Sequence, residues 1–77
     1  MKNKLISLLQ ELLIATDEIN KVNIKASIML NTAFLAKPSN FRELNNLMKH
    51  VNAYIESSTD KNKVNIEKVI ARINEKF

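Results

Sequence analysis

The absence of glycine restricts the fold of this 77-residue chain more than any other feature of its sequence. Tight turns between β-strands need backbone positions with positive φ, which glycine adopts without steric cost. Proline occurs only once. Cysteine is absent, so disulfides and thiolate metal sites are excluded. Apolar residues make up 45% of the chain, which is enough for a hydrophobic core. The sequence therefore predicts a single all-α domain over residues 1–77.

Apolar residues recur at intervals of three and four, the spacing of amphipathic helices. The pattern predicts four helices, at residues 2–16, 20–37, 40–57 and 63–76. Pro38 stops the second helix, because proline disfavours helical geometry at the preceding residue. Residues 57–62 are polar and without periodicity, so they predict a loop. Helices with such short connections pack as an antiparallel four-helix bundle.

Two short polar segments are placed to begin helices. Asn40 is predicted to cap the third helix, with Glu43 as the reciprocal partner of a capping box. Asp17 and Glu18, the only acidic pair, mark a helix start, where negative charge complements the helix dipole. The helix that follows is apolar around most of its circumference, so it is either central in the bundle or presents an apolar face to a partner.

An unbroken heptad pattern runs through the first two predicted helices and leaves an alternative open. Its members are Leu5, Leu8, Leu12, Ala15, Ile19, Val22, Ala26, Met29, Ala33 and Ala36. They permit one long helix over residues 2–37, which would form a coiled-coil dimer. A short repeat favours two helices instead: residues 20–24 and 62–66 both read Asn-Lys-Val-Asn-Ile. The second copy follows a polar loop, so we expect a bend near residues 16–20 before the first copy.

The net charge of +4 and the pI near 9.6 raise the possibility of nucleic-acid binding. Acidic residues are interleaved with basic ones along the chain, which is typical of a solvated surface rather than a phosphate-binding track. The last two predicted helices are also joined by a longer segment than the short turn of a helix-turn-helix motif. The charge distribution therefore argues against a nucleic-acid partner, and weak nucleic-acid binding remains an alternative.

Groups that catalysis needs do not converge in the sequence. His50 is the only histidine, and no carboxylate or nucleophile in a catalytic spacing accompanies it. The hydroxyl groups of residues 57–59 have no base nearby in sequence. No glycine-rich phosphate loop and no metal-ligand spacing is present. We therefore predict a non-enzymatic protein without a cofactor or metal.

The start of the chain is similar to a secretory signal, because Lys2 and Lys4 precede an apolar run. Gln10 and Glu11 interrupt that run, which is far shorter than the ~20 residues of a membrane span. No cleavage site with small residues follows. We therefore expect an amphipathic helix and a cytoplasmic protein.

Three segments carry a resemblance to a known family. Residues 5–12 read Leu-Ile-Ser-Leu-Leu-Gln-Glu-Leu, and residues 38–48 read Pro-Ser-Asn-Phe-Arg-Glu-Leu-Asn-Asn-Leu-Met. Helical apolar spacing then continues through Val51 and Ile55, with a last helix at residues 66–73. This pattern resembles the small bacteriocin immunity proteins of lactic-acid bacteria, the pediocin/enterocin immunity group. The sequence departs from the longer members of that group, which carry a C-terminal tail.

The resemblance implies a cytosolic four-helix bundle that protects its producer cell from a class II bacteriocin. Its partner would be a bacteriocin-bound membrane sugar permease, and peripheral membrane contact would accompany that interaction. The resemblance also points to exposed basic residues of the last hairpin as the partner-binding set: Lys61, Lys63, Lys68 and Arg72. A phage- or plasmid-encoded inhibitor or adaptor that acts by protein–protein binding is the alternative.

Overall fold

The computed structural model describes residues 2–77 and contains four helices in that range. They are α1 (Lys2–Ile14), α2 (Glu18–Leu35), α3 (Phe41–Glu56) and α4 (Asp60–Lys76). Each helix packs against two others, in the cyclic order α1, α2, α3, α4 and back to α1. The predicted all-α four-helix bundle is therefore confirmed.

Contacts between helix ends show that neighbouring helices run antiparallel. Lys2 at the start of α1 donates from Nζ to the carbonyl oxygen of Asn74 near the end of α4, at 3.3 Å. Glu43 at the start of α3 is likewise paired with Arg72, in the second half of α4. Tyr54 donates from its hydroxyl to the carbonyl oxygen of Leu13 at 3.3 Å, so the ends of the diagonal pair α1 and α3 lie together.

The core lies along the axis of the bundle and is built almost entirely from aliphatic side chains, which all four helices contribute at intervals of four residues or less. Its buried members are Leu5, Leu8, Leu9, Leu12, Ile24, Ile28, Leu47, Val51, Tyr54, Ile66, Val69 and Ile73. Burial of such side chains contributes roughly 1.5–3 kcal/mol each, which is the main term that favours folding of a chain without cross-links.

The five-residue repeat corresponds to two similar helical hairpins, α1–α2 and α3–α4. Ile14 and Glu56 are the last residues of α1 and α3. They are as far apart in sequence as Glu18 and Asp60, the first residues of α2 and α4. The caps also correspond. Asp17 accepts at 3.2 Å from the backbone N–H of Asn20, and Thr59 accepts at 3.2 Å from that of Asn62. The predicted bend before the first copy of the repeat is confirmed.

The alternative of one long helix over residues 2–37 is wrong. Residues 15–17 leave the helix, and Asp17 takes an extended backbone conformation (φ −91°, ψ 132°). A continuous helix would carry Ile24 and Ile28 away from α1, whereas the turn folds them back into the core. The heptad pattern is consequently divided: its first members are buried in α1, and those from Ile19 onward are exposed on α2.

Four predicted boundaries differ from the structure by two or three residues, both ends of the third helix differ by one, and one predicted cap is wrong. The first helix ends at Ile14, the second spans residues 18–35, and the fourth begins at Asp60, because Thr59 caps its polar first turn. Asn40 precedes α3 but makes no capping bond to that helix. Its side chain instead accepts from the Lys37 N–H at 2.8 Å and donates to the carbonyl oxygen of Leu35 at 2.9 Å. Asn40 therefore satisfies the end of α2, and the predicted capping box is absent.

Candidate functional site

The outer face of α2 carries five of the eight large apolar side chains that are exposed within residues 2–77. Only one side of this helix is buried, through Lys21, Ile24, Ile28 and Thr32. Large apolar side chains on its other sides keep half or more of their area in solvent: Ile19 (72%), Val22 (54%), Met29 (51%), Leu30 (60%) and Phe34 (68%). Contiguous apolar surface of this kind marks interaction sites in folded proteins. The sequence allowed α2 to be either central in the bundle or exposed with an apolar face. The structure has the second arrangement.

Six exposed residues follow one line along α2, the last of them at its C-cap. We call them the α2 stripe, and they are Ile19, Val22, Ala26, Met29, Ala33 and Ala36. Their intervals alternate between three and four residues, which is the spacing of a helix that packs along a second helix. These residues are the second half of the heptad pattern identified in the sequence, and no other helix of the described chain covers them.

Beside the stripe, an open groove of about 380 Å³ lies between α2 and α3, and we call it the α2/α3 groove. Its apolar lining comes from Met29, Ala33, Ala36, Phe41, Leu44 and Met48. Its polar lining comes from Lys25, Asn45 and Asn52 at the rim and from the buried Thr32. The alanines have side chains too short to reach α3, so the space between the helices stays open. An apolar floor with a few polar groups at its edge is the usual character of a binding groove.

Helical periodicity explains the α3 side of the groove. Phe41, Asn45, Met48 and Asn52 follow one another at intervals of four, three and four, so they lie on the side of α3 that faces α2. The buried side of α3 is formed by another set, which includes Leu47 and Val51. Phe41 is 59% exposed at one end of the groove, although it is the largest apolar side chain in the lining.

The predicted partner-binding residues on α4 do not form one patch. Lys61, Lys63 and Lys68 are exposed, as expected, and so is Arg72. Successive residues of a helix are about 100° apart, which places Lys61, Lys68 and Arg72 on one side of α4 and Lys63 on another. Three of the four predicted residues therefore share a face.

Arg72 is engaged within the protein. Its Nε donates to Oε2 of Glu43 at 2.8 Å and its Nη2 donates to Oε1 of Glu43 at 2.9 Å, a two-pronged ion pair between α4 and α3. These hydrogen bonds hold the pKa of the Glu43 carboxyl below its ordinary value of 4.5, and they raise the pKa of Arg72. The Glu43 carboxylate offsets the charge of the guanidinium, so Lys61 and Lys68 carry the remaining positive charge on this face.

A buried lysine joins the two hairpins at their loops. Lys21 is 7% exposed, and its Nζ donates to Oγ of Ser58 at 3.0 Å and lies 5.8 Å from the ring centroid of Tyr54. Oγ of Ser58 in turn donates to the carbonyl oxygen of Tyr54 at 2.9 Å. The equivalent residue of the second hairpin, Lys63, is exposed. The contacts of Lys21 connect structural elements, and we assign it a structural role.

Within residues 2–77, no three side chains of the types that hold metal ions come together. The described helices also include none with the length and apolarity that crossing a membrane requires. His50 is half-buried on α3, outside both the groove and the stripe. The candidate site is therefore the apolar surface formed by the α2 stripe and the α2/α3 groove.

The amino-acid sequence indicates this surface only in outline. The apolar circumference of α2 was visible in the sequence, and it was the available signal for an exposed binding face. The groove was not predicted, because its lining joins residues from two helices, and the packing of one helix on another is not visible in the local sequence pattern. Comparison with known proteins adds no relative: no family model, curated protein or solved structure matches this chain.

Proposed function

We propose that this chain is a non-enzymatic binding protein that holds an apolar helical segment of a partner protein in the α2/α3 groove. The observation that supports the proposal is the groove itself, with its apolar floor and an exposed Phe41 at one end. Leaving a phenylalanine largely in water forgoes the stabilisation that its burial would bring. A partner that covers Phe41 recovers this free energy on binding.

The dimensions of the groove favour a helix as the bound segment. The α2 residues that line it extend from Lys25 to Ala36, which corresponds to about 16 Å of helix, or three turns. A partner helix would place apolar residues at intervals of three and four along this floor, the helix-in-groove mode of recognition. Lys25 is the one charged residue of the lining, so an acidic residue beside the partner's apolar positions fits best.

The more specific proposal is bacteriocin immunity. In this role the protein acts in the cytoplasm of the producer cell and engages a membrane sugar permease to which a class II bacteriocin has bound. Support comes from the resemblance of the helix spacing to the pediocin/enterocin immunity group, and the groove supplies a surface through which such a partner would bind. An inhibitor or adaptor of another host protein would use the same surface.

Expression in a bacteriocin-sensitive strain tests the proposal. We expect cells that produce the wild-type chain to survive at peptide concentrations that kill the parent strain. Phe41→Glu should abolish protection, because it places a charge in the apolar groove, where burial without a partner is unfavourable. Phe34→Glu is the matched control, since Phe34 is also an exposed phenylalanine but lies outside the groove.

Two outcomes would contradict the proposal. Unchanged sensitivity to every class II peptide tried would remove the immunity role. Equal protection by wild type and Phe41→Glu would remove the groove as the binding surface. If the immunity role fails, purification of complexes from a host in which the gene is expressed, with Phe41→Glu as the negative control, tests the inhibitor or adaptor role.

A further inference from the structure

The order of large and small residues in the α2 stripe allows two copies of the stripe to pack against each other in opposite directions. From its N-terminal to its C-terminal end it reads large, large, small, large, small, small: Ile19, Val22, Ala26, Met29, Ala33 and Ala36. When the same stripe is laid against it in the opposite direction, every large residue meets an alanine. Facing helices pack best when large and small side chains alternate across the contact.

We propose that the α2 stripe binds the α2 stripe of a second copy of this chain, with the two helices antiparallel. The two-fold axis passes through the midpoint of the stripe, between Ala26 and Met29. Across this axis Ile19 packs on the partner's Ala36, Val22 on the partner's Ala33, and Met29 on the partner's Ala26. A two-fold interface is self-complementary, so each of these contacts occurs twice.

Other arrangements of two α2 helices fit less well. A parallel pair stacks Ile19 on itself, Met29 on itself and Ala33 on itself, so the helices are held apart by the large layers and the alanine layers lose contact. A shift of the antiparallel register by one heptad leaves residues at both ends of the stripe without a counterpart. The antiparallel register centred on the midpoint is the one that uses all six positions.

Charge at the two ends of α2 favours the same orientation. Glu18 lies at the N-terminal end beside the stripe, and Lys37 follows its C-terminal end. In the antiparallel pair each Glu18 comes next to the partner's Lys37, whereas a parallel pair brings like charges together at both ends. The two helix dipoles also oppose one another in the antiparallel pair.

The size of the contact predicts a reversible dimer. An 18-residue helix is about 27 Å long, and one helix packed on another along that length buries on the order of 1,000 Å² in total, the lower limit for a specific interface. Met29 and Ala33 also line the α2/α3 groove, so the dimer covers one wall of that groove. Self-association and the binding of a partner helix therefore exclude each other.

Sedimentation equilibrium at increasing protein concentration tests the dimer. We expect the weight-average mass to rise from 8.8 kDa towards twice that value. Val22→Glu should raise the dissociation constant more than ~10-fold, because it places an unpaired charge in the apolar contact. Val64→Glu is the matched control: Val64 is the equivalent residue of the second hairpin, is similarly exposed (44%), and lies on α4 away from the stripe.

Three results of this experiment would overturn the proposal. The first is a wild-type chain that stays monomeric up to millimolar concentration. The second is a Val22→Glu variant that dimerises as the wild type does. The third is a Val64→Glu variant that is weakened as much as Val22→Glu. Phe41→Glu should dimerise normally, so loss of the proposed partner and loss of the dimer are distinguishable.

Disulfide trapping tests the orientation, and the chain has no cysteine of its own to interfere. Ile19→Cys and Ala36→Cys variants are mixed and oxidised. The antiparallel pair predicts that a cross-link joins one variant to the other and that neither variant alone is cross-linked efficiently. Efficient cross-linking of Ile19→Cys to itself would show a parallel pair and contradict the proposal.

Discussion

Nζ of Lys21 on α2 lies 3.0 Å from Oγ of Ser58 in the loop between α3 and α4, so a buried lysine connects the two hairpins of the bundle. No carboxylate within residues 2–77 forms an ion pair with this ammonium group. Its remaining neighbour is the ring of Tyr54, whose face attracts cations. The aliphatic stem of Lys21 meanwhile packs like an apolar side chain.

Substitution of Lys21 should separate the contribution of the stem from that of the charge. Lys21→Ala removes both and should lower the free energy of unfolding by about 1–2 kcal/mol, because it leaves unfilled space beside the core. Lys21→Met keeps the stem and removes the desolvated charge, so its unfolding free energy should equal or exceed that of the wild type. Urea denaturation measures both changes.

Lys63→Met is the control for this series, because Lys63 is the exposed equivalent in the second hairpin. It should leave the unfolding free energy unchanged. A Lys21→Met variant less stable than the wild type by more than about 1 kcal/mol would show that the ammonium group, rather than the stem, stabilises the fold.

The ion pair between Glu43 and Arg72 predicts a dependence of stability on pH. The folded protein lowers the pKa of Glu43, so the pair stabilises the protein at pH values above the unfolded pKa. That stabilisation is lost as pH falls from about 4.5 through the lowered pKa of the folded state. Glu43→Gln should therefore be less stable than the wild type near neutral pH and equal to it in acid.

Thermal unfolding between pH 7 and pH 2 checks this prediction. Glu67→Gln serves as the control, since Glu67 is an exposed acid on α4 that forms no ion pair in the described chain. The difference between Glu43→Gln and the wild type should narrow in acid, while that of Glu67→Gln stays small throughout. A difference for Glu43→Gln that does not change with pH would contradict the assignment.

The two helix caps predict similar losses when they are removed. Asp17→Ala and Thr59→Ala each leave the backbone N–H of a first-turn asparagine without its side-chain acceptor. Each should cost about 1 kcal/mol of unfolding free energy in urea denaturation. Thr16→Ala, in the same loop as Asp17, should be neutral, and a loss there as large as that of Asp17→Ala would show that the loop rather than the cap is responsible.

The sequence predicted the number of helices because their apolar periodicity is strong and local. It misplaced the start of α4, since Asp60 and its neighbours are polar and look like a loop until Thr59 is recognised as a cap. It assigned Glu43 to a local capping box, whereas the charged partner of Glu43 is Arg72, on another helix. The ion pair of Glu43 and the burial of Lys21 both depend on contacts with residues distant in sequence, which the local pattern does not show.

The candidate site was likewise only partly predictable, because the local sequence pattern shows the apolar side of a helix and not its neighbours. The heptad pattern is continuous in sequence, but the turn at residues 15–17 sends its first half into the core and its second half to the surface. Periodicity identifies an apolar side of a helix without showing what covers it. The basic residues of α4 were predicted from the family resemblance, and the ion pair of Arg72 became visible only when α3 and α4 were placed together.

Binding through the α2 stripe and the α2/α3 groove requires that the apolar outer face of α2 be available to a partner rather than needed for folding. Urea denaturation of the triple variant Ile19→Gln, Val22→Gln and Met29→Gln at micromolar concentration tests this most directly, because glutamine preserves helix propensity while removing exposed apolar surface of the α2 stripe. We expect an unfolding free energy within about 1 kcal/mol of the wild type, since exposed substitutions change stability little. A loss of about 4 kcal/mol or more, as for buried side chains, would show that this face is packed within the folded chain and would contradict the account.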